Sequence, residues 1–135
     1  MDRHPNFLPS DKQDLESCEK LRQTPVTEII PYLSELLEWL QDINWPVALP
    51  IADKLSSVGY EIVPCIDAAL KHDDSIWKSN VIEHLIMKLN PEVMEAALIE
   101  VVRIVNNPTK AEIEEEVNLI AREAIFYYSH VIDSK

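Results

Sequence analysis

Glu83-His84 and His72-Asp73-Asp74 are the densest groupings of side chains able to bind a metal or move a proton. A metalloprotease zinc site needs two histidines four apart on one helical face with a glutamate between them. A calcium loop needs spaced carboxylates closed by a bidentate glutamate, and neither spacing occurs. Neighbouring residues on a helix point about 100° apart, so Glu83 and His84 cannot chelate one ion from a single helix. Asp73-Asp74 precedes Ser75 and reads as a helix cap instead. Nucleophilic catalysis fares no better, because the chain has one glycine, Gly59, and so lacks both a nucleophile elbow and a phosphate-cradling loop. Cys18 and Cys65 stand 47 residues apart without CxxC spacing and read as buried, reduced thiols. The expectation is a non-enzymatic protein with no metal and no cofactor.

Charge points toward binding. The formal net charge is −12, which argues against nucleic acid as a partner, since that affinity comes largely from Lys and Arg. Residues 24–73 carry eight acids against Lys54 and Lys71, half of the net charge. On a helix through this region Glu28, Glu35, Glu38 and Asp42 fall within an arc of about 80°, opposite Leu33, Leu36, Leu37 and Leu40. Tyr32 and Trp39 border that stripe, and Trp45 follows in the next turn. Aromatic rings beside unneutralised acids form a docking face for a basic protein, with Tyr32, Glu35, Glu38, Trp39, Asp42 and Trp45 as its candidates. A competing location is a concave groove lined by second helices, where Asp53, Asn80, Glu83 and His84 would serve an enzyme or small-ligand binder. Acids at Glu112, Glu114, Glu115 and Glu116 suit the positive end of a helix dipole and need no catalytic reason.

The elements that must position these residues follow from proline, caps and period. Glu28-Ile29-Ile30-Pro31 with Trp45 recurs as Glu61-Ile62-Val63-Pro64 with Trp77, a period of about 33 residues. Residues 1–9 contain Pro5 and Pro9 without periodicity and read as a flexible arm. Ser10 with Gln13 predicts a capping box and a helix over 10–22 covering one end. Helix pairs are expected over 25–58, with Pro31 bending or restarting the first helix, then 60–89 and 91–130. Gly59 is the expected terminator of the 46–58 helix, and Thr109 with Glu112 predicts a second capping box opening the last helix. The equivalent positions of Trp45 and Trp77 predict wedges between one pair and the next, with a pocket role open to Trp45 if its turn is exposed. Phe126-Tyr127-Tyr128 is expected to pack back on the preceding pair or to form a dimer contact.

Asp42-Ile43-Asn44-Trp45-Pro46-Val47-Ala48 and Asp74-Ser75-Ile76-Trp77-Lys78 each place an acid in the turn before a second helix. This resembles the HEAT-repeat turn, and the Trp-Pro-Val-Ala element is similar to that of a small bacterial HEAT-like family of uncharacterised function, from about Leu8 to Ala124. The resemblance implies an all-α, right-handed HEAT-like solenoid of about seven helices in a single domain. It implies no catalytic residues. Some HEAT-like bacterial proteins are immunity proteins, so neutralisation of a basic toxin is an alternative within the same binding class. With 47% hydrophobic residues but no run of eighteen apolar ones and no signal-like N-terminus, the expected setting is cytoplasmic, without a membrane, as a monomer or weak homodimer.

Overall fold

Helix starts follow the side chains that can satisfy the first free backbone N–H groups. The computed structural model describes residues 5–133, so Met1–His4 of the expected arm lie outside the described residues. The rest of that arm is packed: Phe7 and Leu8 are buried, and the Phe7 ring meets Tyr32 edge-on at 5.5 Å. Apolar side chains this close to a core leave water despite the flanking prolines.

Helix α1 spans Leu15–Gln23 and is capped by Asp14, whose carboxylate accepts from Ser17 N. The Ser10–Gln13 box is not formed, because Ser10 N–H and Oγ both donate to Asp14, which outcompetes the serine one turn later. Pro31 does restart the next segment. Helix α2 (Val26–Ile29) gives way to a 3-10 turn at Ile30–Tyr32, then α3 (Leu33–Leu37) and a second 3-10 turn at Glu38–Gln41. Helix α4 is Ala48–Leu55. It stops before Gly59, because the Ser56 and Ser57 hydroxyls donate at 2.6 Å to the carbonyls of Asp53 and Lys54 and close the last turn. Gly59 has a negative φ of −79° and makes no left-handed cap.

After a 3-10 turn at Tyr60–Ile62, helix α5 spans Val63–Leu70. Helix α6 (Ser75–His84) is capped as expected by Asp74, which accepts from Trp77 N at 3.0 Å. A 3-10 turn at Ile86–Lys88 leads to α7 (Pro91–Asn106), capped by Asn90 with Pro91 in the first turn. The Thr109–Glu112 capping box forms and opens α8 (Lys110–Glu114). The single last helix of the sequence reading is then broken, since Glu116 takes φ 61° before α9 (Val117–Asp133) begins. A left-handed non-glycine residue costs roughly 1–2 kcal/mol. Glu116→Gly is therefore expected to raise stability by about 1 kcal/mol in urea titrations, net of the added unfolded-chain freedom; a loss of stability would contradict the strain.

The described residues contain helices and turns and no strand. Helices α3, α5 and α7 touch in succession, as do α4, α6 and α9, while α1 packs on α4. Each member of the first series also contacts one of the second: α3 with α4, α5 with α6, α7 with α9. Between the two series lies one core, with Leu36, Leu40, Ile51, Ile66, Ile82 and Leu85 fully buried. Each such side chain contributes about 1.5–3 kcal/mol of burial. Tyr128 packs back on α7, its hydroxyl donating to Glu95 at 2.9 Å, while Phe126 stays 67% exposed.

Candidate functional site

Two 3-10 turns decide which acidic and aromatic side chains meet. Helix α3 buries Leu33, Leu36 and Leu37 and leaves Glu35 outside; the tighter winding of Glu38–Gln41 then buries Leu40 and holds Trp39 half-buried. Asp42 is extended at φ −135° and ψ 107°, so the chain turns back. Trp45 N donates to the Asp42 carbonyl at 3.1 Å and Asn44 N to the Asp42 carboxylate at 2.9 Å, which brings Trp45 against Trp39. Their ring centroids lie 5.8 Å apart with planes at 73°.

This corner, with Glu35, Glu38 and Gln41, lines a surface recess of about 300 Å³. Glu35 and Glu38 are exposed, and neither pairs with a cation among the described residues. The Trp39 and Trp45 indole N–H groups have no hydrogen-bond partner among the described residues, in contrast to Trp77. Four of the six residues expected at a docking face thus come together. Tyr32 does not, because its ring is engaged by Phe7 in the preceding 3-10 turn, and the Asp42 carboxylate is spent on the turn. The continuous-helix arithmetic that joined them fails where 3-10 winding replaces α.

The groove candidates do not gather. The Asn80 side chain is buried and donates to the Leu40 carbonyl at 2.9 Å. Asp53 lies instead in a depression of about 530 Å³ between α1 and α4, along with Leu15, Cys18, Arg22, Pro50 and Lys54. Glu83 is exposed and His84 half-buried. Of the expected thiols, Cys18 is buried and Cys65 half-buried. Burial, aided by the charge of Asp14, pushes the Cys18 thiol up to about 11, so it is not a thiolate at neutral pH.

Trp45 and Trp77 are placed differently. Trp77 is a core residue, 8% exposed, with its indole N–H donating to the Leu37 carbonyl at 3.0 Å. Trp45 is a wall of the recess. The metal-capable group beside Trp77 is occupied locally: His72 Nδ1 accepts from Asp74 N at 3.2 Å, its ring meets Trp77 edge-on, and Asp74 caps α6. No group of three or more metal-capable side chains assembles among the described residues.

One cluster had no sequence signal beyond its cap. Glu112 has no exposed surface and accepts from Lys78 at 2.8 Å and from both Arg103 terminal nitrogens at 2.7 and 2.9 Å. Lys78 is itself 5% exposed. Burial pushes the Glu112 carboxyl up, but hydrogen bonds from Arg103, Lys78 and the Thr109 backbone together outweigh it and hold it at about 2. This triad ties α6, α7 and α8 together and leaves both cations committed. Above it lies a depression of about 650 Å³ rimmed by Lys71 and Lys110.

Among the described residues no helix is long and apolar enough to cross a membrane. A family model described as "Domain of unknown function (DUF5071)" matches residues 7–125. No curated protein matches the chain.

Proposed function

The chain belongs to that family of unknown function, DUF5071, and from the chemistry of its surface we propose a non-enzymatic protein-binding module whose acidic recess docks a basic segment of another protein. The scaffold in this reading is a right-handed HEAT-like stack working in the cytoplasm. Successive contact of α3, α5 and α7, and of α4, α6 and α9, supports the stack. An array of this kind would offer its helix faces and turns as binding surfaces.

The observation that carries the proposal is the recess itself. Glu35 and Glu38 place two unneutralised carboxylates beside two tryptophans whose apolar faces are not fully covered. Carboxylates on a protein with twice as many acids as bases steer a basic partner toward encounter, and partly exposed tryptophan supplies the buried area that holds it. Water-exposed acids that served only solubility would need no such rings.

Charge reversal tests this directly. Glu35→Lys with Glu38→Lys should abolish co-purification of a basic partner that wild type retains, quantified by mass spectrometry of captured proteins. The thermal midpoint should change little, since substitutions at exposed positions cost roughly 0.5 kcal/mol or less. Identical capture by wild type and variant would end the proposal.

A further inference from the structure

We infer that the Trp39–Trp45 recess receives the guanidinium group of a single arginine side chain, a reading that rests on the basic-segment proposal above. The recess, about 300 Å³, lies at the lower end of the range for ligand pockets, roughly 300–1,000 Å³, and suits one long side chain better than a helix. Its walls are two indoles at 73°, so a planar cation can lie over one face while the other ring closes the side. At its rim Glu35 and Glu38 stand three residues apart with no cation of their own.

Guanidinium fits these features together. Its donors lie in its plane as a fork, so stacking on an indole still leaves them aimed outward at carboxylates. An ammonium group is compact and strongly hydrated; it can satisfy the carboxylates but gains less from a flat aromatic wall. The free Trp39 and Trp45 N–H groups, which have no partner among the described residues, supply donors for the backbone carbonyls flanking that arginine. The neutral isostere citrulline keeps the shape and loses the charge, which separates recognition of a cation from simple filling of a hole.

The full chain, labelled with ¹⁵N, has three indole N–H resonances to read. Titration with acetyl-Gly-Gly-Arg-Gly-Gly-amide should shift the Trp39 and Trp45 resonances saturably. The Trp77 resonance should stay, because that N–H is locked on the Leu37 carbonyl. The citrulline peptide and the Glu35→Gln/Glu38→Gln variant should each bind roughly tenfold more weakly, and the lysine peptide measurably more weakly than arginine. Absent shifts, equal binding of citrulline, or lysine binding as tightly as arginine would each overturn the assignment. If it falls while the Glu35→Lys/Glu38→Lys variant still loses the basic partner, the docking face stands and only the arginine is wrong. If both fail, the face falls with it.

Discussion

Glu112→Gln is expected to remove about 3–5 kcal/mol of folding free energy at pH 7, the cost of leaving a buried cation without its counter-ion. Glutamine keeps the shape and can still accept from Thr109 N in the capping box, so the loss reports charge and not the cap. What remains is Lys78, 5% exposed, facing an uncharged amide. Against a total stability of roughly 5–15 kcal/mol this is a large fraction, read directly as a lower urea midpoint. The pH dependence gives an independent check. The Glu112 carboxyl is depressed from its ordinary 4.5 to about 2 in the folded chain. A depressed carboxyl contributes stability that is fully present above the unfolded value and is lost as pH falls through the folded one. Urea midpoints of wild type and variant should therefore differ most above about pH 5 and converge toward pH 2. A gap that stays constant from pH 7 to pH 2.5, or none at pH 7, would show that the triad does not stabilise the fold in this way.

Truncating Trp45 and Trp77 should produce unequal results. Trp77→Ala is expected to cost about 3–5 kcal/mol, because it leaves a cavity between α6 and the end of α3 and strips the Leu37 carbonyl of its donor. Trp45→Ala should cost less, about 1–2 kcal/mol, from its partial packing on the core and its edge-to-face contact with Trp39, while removing one wall of the recess. Chemical denaturation of both variants under one set of conditions measures the difference. Equal losses would mean that Trp45 packs as Trp77 does and that the recess is a by-product of core packing.

Where a signal acts over three or four residues, the sequence was a sufficient guide. Asp74 before Ser75, Asn90 before Pro91 and the Thr109–Glu112 pair each form the cap expected of them, since a cap is made by its own turn, although the last opens only α8. At Ser10 two caps competed within one turn, and Asp14 prevailed by accepting from Ser10 and Ser17 together. The recess was legible in part. Residue type alone marks Glu35, Glu38, Trp39 and Trp45, whereas Tyr32 and Asp42 join them only under α winding through Gln41, which the 3-10 turns at Ile30–Tyr32 and Glu38–Gln41 replace. Glu112 was hidden for another reason. In the sequence it opens a run of acids that the helix dipole explains, and its cations lie 34 and 9 residues away. Beyond its place in the capping box, no local pattern distinguishes Glu112 from Glu114 or Glu115.

At the ends of α1, α3 with its following 3-10 turn, and α5, carbonyls are satisfied by side chains that come much later in the chain. Lys54 donates to the Arg22 and Thr24 carbonyls, Trp77 and Asn80 to Leu37 and Leu40, and Arg103 to Leu70, across separations of 30 to 40 residues. During synthesis these helix ends thus emerge before their donors, which follow only after 30 to 40 further residues. A chain cut after α1, α3 or α5 would therefore present helix ends whose carbonyl acceptors have lost the protein donors that the full chain supplies.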